Sequence, residues 1–261
     1  MPIGCRLGTG RGQPLPGVIF NQTSSIKYPC KQIASMKGPM QTLDLKKMYR
    51  ALYQPPAGKI ETVNIPELQF LMIDGAIEPG EAPGTSPLFA ENTQALYGVA
   101  YTLKFAAKQR RIDPVDYPVM ALEGLWWVED GRFDITIKDN WYYTLMIFTP
   151  DLVTPAMFTE ALAQLRRKKG AQPGFDRLRL ERFSEGLCVQ TLHTGPYSTE
   201  PATVDRMHAY MQLNGYQDQV ERGGRHHEIY LGDPRRAAPE KLKTILRHPV
   251  TRQSASPIPA E

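Results

Sequence analysis

Arg225-His226-His227-Glu228-Ile229-Tyr230-Leu231-Gly232-Asp233-Pro234-Arg235-Arg236-Ala237 places a carboxylate inside an otherwise strand-like run. His227 to Leu231 reads as a short strand that a turn at Gly232-Asp233-Pro234 then breaks. Side chains alternate along a strand, so His226, Glu228 and Tyr230 share one face while His227, Ile229 and Leu231 share the other. If the first face borders a cavity, Glu228 becomes a buried anion in need of a cation or a proton. An unpaired buried charge is costly, so a residue of this kind is expected to serve a ligand.

Outward from this strand the same order of elements occurs twice. In the first half, Glu61 to Asp74 reads as a strand interrupted at Pro66. A helix follows, capped by Ser86 with Pro87 in its first turn and running to about Lys108. Leu88, Phe89, Leu96, Tyr97, Ala100 and Leu103 form its apolar face. Val119 to Val128 and Trp141 to Phe148 complete the half as two strands. A linking helix is opened by Thr154-Pro155 and closed by Arg166-Arg167-Lys168-Lys169-Gly170. The second half has a long strand from Arg177 to Thr194, kinked near Gly186, and a helix from about Thr199. Val204, Met207, His208 and Met211 recur along that helix at helical spacing. Strands at His226 to Leu231 and Leu242 to Arg247 end the half. These patterns predict an α+β fold: duplicated βαββ units forming an antiparallel sheet, with helices on one face and a central ligand groove. The other face must be covered by another segment or serve as a groove itself.

The predicted domain spans residues 40–250, its halves at about 60–150 and 175–250. Residues 1–39 lack periodicity and read as a disordered extension or as sequence translated upstream of a true start at Met40. Residues 251–261 read as a flexible tail. Apolar residues make up 41% and charged residues 22%, enough for an ordinary core, and the net charge is +4. The basic runs are scattered, which argues against direct nucleic-acid binding. Cys5, Cys30 and Cys188 have neither pairing arithmetic nor metal spacing, and no Cys-x-x-Cys or His-Glu-x-x-His occurs, so no metal and no cofactor is expected. No membrane-spanning run or signal peptide is legible, and a reducing cytoplasm is the expected location. A monomer or weak homodimer is expected.

Two further motifs bear on chemistry. Pro118 to Asp130 is the first-half counterpart of the opening run and sets Glu123 before Trp126 and Trp127, with Trp141, Tyr142 and Tyr143 on the next strand. Such a group of aromatics fits a structural core, and it equally fits walls for a flat or cationic ligand beside a carboxylate. His193-Thr194-Gly195-Pro196-Tyr197-Ser198 makes a turn from which Tyr197 either projects toward the groove or covers the turn, and His193 is either a lining residue or a satisfied structural histidine. No serine or cysteine has the flanks of a nucleophile elbow, and Gly4 to Gly12 lacks the strand and helix of a phosphate loop.

Glu123-Gly124-Leu125-Trp126-Trp127, His193-Thr194-Gly195-Pro196-Tyr197 and the run from His226 to Arg236 together resemble the GyrI-like small-molecule-binding family. The likeness is above all to its stand-alone bacterial proteins, in which Lys241-Leu242-Lys243-Thr244-Ile245 also recurs. The resemblance covers roughly Met40 to Val250. It implies a duplicated SHS2-type βαββ fold around a groove, with Glu228 at the position of the carboxylate that pairs hydrophobic cations in related drug-binding regulators. With no helix-turn-helix ahead of the domain, a fused transcriptional regulator is not expected. Some stand-alone members are cyclopropanoid hydrolases that open the strained ring of DNA-alkylating natural products; others are multidrug binders or gyrase-interacting proteins.

The expectation is therefore a hydrolase conferring detoxification or self-resistance, with small hydrophobic aromatic or cationic partners. Glu228 would orient or deprotonate water, and Tyr197 or Tyr143 would donate a hydrogen bond to the oxygen that becomes a phenolate. Glu123, Trp126, Trp127, Trp141, His193 and Tyr230 would bind the ligand. Drug sequestration without turnover and a gyrase-interacting module are the alternatives.

Overall fold

The computed structural model describes residues 39–129, 132–137 and 140–253. The expected extension, bar Pro39, and the Ser/Pro tail from Ser254 lie outside the described residues. The described residues open with strand β1 (Gln41–Thr42) and two single-turn helices, α1 (Leu45–Met48) and α2 (Arg50–Tyr53). The first unit comprises β2 (Ile60–Ile65), β3 (Leu68–Ala76), α3 (Pro87–Lys108), β4 (Val115–Asp116), β5 (Leu122–Trp127) and β6 (Tyr142–Thr149). Helices α4 (Pro155–Lys169) and α5 (Pro173–Arg177) lead into the second unit. It comprises β7 (Arg179–Phe183), β8 (Gly186–Thr194), α6 (Glu200–Leu213), β9 (Tyr216–Asp218), β10 (His226–Tyr230) and β11 (Lys243–Arg252).

The long helices begin where their caps direct. Ser86 accepts from the Phe89 N–H, and Thr154 accepts from the Met157 N–H, each with proline at the next position. Helix α4 ends at Gly170, whose φ of 81° suits glycine. The buried stripe of α3 runs through Asn92, Leu96, Val99, Ala100 and Leu103. Strand β11 is longer than expected because its last residues pair with β9, Val250 opposite Asp218.

The main sheet is antiparallel, in the order β2-β8-β11-β10-β5-β6-β3-β7, with β9 added beside β11. The order β3-β6-β5 in one unit faces β10-β11-β8 in the other, so the two repeats meet at the β5–β10 pair. Ile65 pairs with Gly186 and Leu68 with Phe183, so one register continues across the breaks at Pro66 and Ser184-Glu185. The expected interruption at Pro66 and kink near Gly186 are thus matching bends. Because β2 runs into β3 and β7 into β8, the two edges of the sheet belong to the same two chain segments, and the sheet curls on itself.

Register assigns the faces. Leu122, Gly124 and Trp126 stand opposite Tyr230, Glu228 and His226, and on the next strand Glu228 faces Leu246. Helix α3 lies on this face, where Asn92 bonds the Tyr143 hydroxyl. Helix α6 covers its other end, packing Val204, Met207 and Met211 against Val189, Leu246 and Val250.

The opposite face carries Glu123, Leu125, His227, Ile229, Arg247 and Gln190, and the α1–α2 segment covers it. Tyr49 and Tyr53 pack on Phe148, Leu52 O accepts from Arg247, and Ala51 O accepts from Gln190. Burying Leu45 and Leu52 there contributes about 1.5–3 kcal/mol each. This segment covers the part of the face around Glu123, Phe148 and Arg247.

Candidate functional site

Glu228 sits at the middle of the helix-bearing face, on the strand that joins the two repeats. It is 6% exposed. His226 Nε2 lies 3.2 Å from its Oε1, and Tyr230 follows two residues on along the same face of the strand. Trp126 Nε1 donates to the Tyr230 oxygen at 3.1 Å. Burial, with the adjacent Glu228 charge, raises Tyr230 well above the usual phenol value. The alternation expected for His226, Glu228 and Tyr230 is thus the arrangement of the site, and Trp126 joins them across the strand pair.

Gly124 makes room for this contact. A Cβ at that position would meet Trp126 Nε1 at 2.7 Å and the Tyr230 hydroxyl at 3.2 Å. Trp126 stacks on Phe89 of α3 at 5.8 Å and 14°, and touches Trp141 and Tyr143 at 5.3 and 5.5 Å. Trp141 donates its indole N–H to Ile137 O and packs on Phe133, and Phe133 stacks on His226 at 5.3 Å. Tyr143 is fully buried, and its hydroxyl accepts from Asn92 at 3.0 Å. Burial pushes that hydroxyl up to about 12 despite the Asn92 bond. It stands on β6, beyond Trp126 from Glu228, so its position is that of a support for the indole.

Tyr197 reaches the site from the turn before α6, edge-on to Tyr230 with ring centroids 6.0 Å apart. Burial, then Glu228 and Glu200, pushes its hydroxyl up to about 12, which keeps it a proton donor at neutral pH. His193 positions that turn. Its Nδ1 meets Thr203 Oγ1 at 2.9 Å, and its Nε2 lies 3.2 Å from Thr199 Oγ1 and 3.3 Å from Pro196 O. Of the two readings of His193, these contacts favour the structural one.

Glu123 and Trp127 depart from the expectation of a shared groove. Both alternate onto the opposite face of β5. Glu123 is fully buried, accepting from the Tyr53 hydroxyl at 2.7 Å and contacting His227 Nε2 at 3.1 Å. His227 also contacts Glu185 at 2.9 Å, so this carboxylate belongs to a core network. Trp127 stacks on Tyr142 and carries the Arg225 guanidinium 4.1 Å above its ring. With Asp74, Arg179 and Arg225 it lines an open cleft of about 400 Å³. A smaller cleft of about 270 Å³ lies beside Glu129 and Arg132. Neither contains Glu228, and Tyr197 and Tyr230 beside it are half-buried.

Phe89, Phe133, Gly124 and His248 were not legible as site residues. Phe89 followed the apolar stripe of its helix, and only the strand register places Gly124 and His248 beside Glu228. One group among the described residues, His208, Asp218 and His248, brings metal-type donors together behind the site.

Residues 59–251 match the GyrI-like small molecule binding domain, and the chain belongs to that family. A conserved protein from Listeria innocua is 39% identical, with a TM-score of 0.70 over 80% of this chain and 100% of its own. Two structures named as hydrolases from the same organism are 37% and 36% identical, with TM-scores of 0.69 and 0.66. They cover 81% and 80% of this chain and 100% of their own. No curated protein matches. Among the described residues, no helix is long and apolar enough to cross a membrane.

Proposed function

We propose that the chain binds a planar, hydrophobic electrophile on the helix-bearing face and hydrolyses it, with Glu228 as general base. The observation that carries this reading is the buried Glu228 carboxylate, 3.2 Å from His226 Nε2 and neighboured along the strand by Tyr230, whose hydroxyl accepts from the Trp126 indole. The Listeria proteins named as hydrolases favour turnover over binding alone.

For a cyclopropane conjugated to a dienone, Glu228 takes a proton from water as the water oxygen bonds to the ring methylene. The cyclopropane C–C bond breaks, and its electron pair moves through the ring system to the carbonyl oxygen, which becomes a phenolate. Tyr197 donates to that oxygen and is reprotonated from solvent. Ring strain drives the step, so general-base assistance of about two to four powers of ten suffices. The product is the phenol carrying one added water, a self-resistance or detoxification chemistry.

The test is incubation of the full chain with such an electrophile, following gain of one water by mass spectrometry. The family's small-molecule-binding description favours a second reading, sequestration without turnover. That reading gives saturable binding and unchanged ligand mass.

A further inference from the structure

A line of side chains leads away from Glu228 into the second repeat. His226 Nδ1 lies 2.7 Å from His248 Nε2, and His248 Nδ1 lies 2.7 Å from Asp218 Oδ2. His208 Nε2 approaches the same Asp218 oxygen at 3.1 Å. Strand β11 carries His248, β9 brings Asp218 alongside it, and α6 supplies His208 from above.

His226, His248, Glu228 and Asp218 are only 0%, 2%, 6% and 7% exposed.

We propose that His208 Nε2, Asp218 Oδ2 and His248 Nδ1 bind a divalent transition-metal ion of the zinc type. The three donor atoms lie within 4.8 Å of one another. Donors of a tetrahedral zinc site with bonds of about 2.0–2.1 Å stand roughly 3.3 Å apart, so small side-chain shifts close the set. Two imidazoles with one carboxylate favour zinc or cobalt over calcium or magnesium. The outer contacts suit a metal site. Val220 N–H donates to Asp218 Oδ1 at 2.8 Å, and His226 orients His248 through its other nitrogen. The ion pairs of Asp218 among the described residues are both with histidines. The His208 side chain is 30% exposed and gives the ion a route from solvent. Asp218 lies 10 residues from His208 and 30 from His248, which is why no metal motif is visible in the sequence.

The inference is independent of the hydrolase reading, and its test uses no substrate. The full chain, stripped by chelator, is titrated with cobalt(II) and then zinc. One cobalt per chain is expected, with the visible absorption of a four-coordinate ion and loss of colour on adding zinc. His208→Ala, at a half-exposed position that folding tolerates, weakens cobalt by more than about tenfold. Asp218→Asn preserves the side-chain shape and does the same. Zinc raises the thermal midpoint of the native chain and not of His208→Ala. Absence of stoichiometric cobalt binding, or equal affinity in both variants and the native chain, overturns the proposal.

Discussion

Glu123 and Glu228 lie on hydrogen-bonded neighbouring strands yet point to opposite faces of the sheet, because Glu228 pairs with Gly124 and Glu123 with Ile229. One residue of register separates a carboxylate buried in the network beneath the sheet from one on the helix-bearing face. The two positions therefore have different expected phenotypes.

Glu123→Gln is expected to destabilise the fold by about 3–5 kcal/mol, since it leaves His227 and Tyr53 around an uncharged partner in a fully buried place. Affinity of the remaining folded protein for a groove ligand is expected to stay within a factor of about two or three, because the side chain lies on the far face of the sheet. Urea unfolding and ligand titration of the same preparation measure both quantities. A stable variant with lost binding would place Glu123 in the groove.

The network beneath the sheet also sets a pH dependence. Burial opposes charge on His227, but Glu185 and Glu123 outweigh it and raise its pKa above 6.5. Its stabilisation is complete below about 6.5 and lost as pH rises through the folded value. Burial likewise opposes charge on Glu185, but His227 and Arg247 bring its pKa below 4.5. That contribution is present above about 4.5 and lost as pH falls through the folded value. The pair therefore contributes most between about pH 4.5 and 6.5, and His227→Gln is expected to remove its part of the alkaline decline. Unfolding free energies measured across pH for both proteins check this; an unchanged alkaline limb would exclude His227.

Gly124→Ala forces a methyl group against the Trp126 indole, which Phe89, Trp141 and Tyr143 hem in. A cost of about 1–3 kcal/mol is expected, with loss of the Trp126–Tyr230 bond and weaker ligand binding. Thermal melts and the tryptophan emission spectrum report it. Native emission and affinity would show that the indole does not depend on this glycine.

His193→Ala removes the contacts that tie Pro196 and Thr199 to β8 and frees the turn bearing Tyr197. A loss of about 1–2 kcal/mol and slower turnover with near-normal ligand affinity are expected. Chemical denaturation and steady-state kinetics separate these effects.

Much of the fold was legible because its signals are local. Ser86-Pro87 and Thr154-Pro155 carry their own caps, and Pro66 and Gly186 mark the paired bends. The His226, Glu228, Tyr230 face followed from alternation alone. The same alternation applied to Glu123, Trp126 and Trp127 separates Trp126 from its neighbours, but adjacency in sequence invited grouping them as one wall. The covering of the far face by Tyr49, Leu52 and Tyr53 was not legible. It depends on long-range contacts such as Tyr53 with Glu123 and Leu52 with Arg247, which no local pattern encodes. The approach of His248 to His226 likewise depends on the β10–β11 register.

The measurement closest to the central claim compares the rates at which the native chain and Glu228→Gln add water to a planar cyclopropane-bearing electrophile. A native rate that falls by about two to four powers of ten in Glu228→Gln, with the variant still folded, is the predicted result. Equal rates in the two proteins, or no turnover in either, would contradict the assignment of Glu228 as the base.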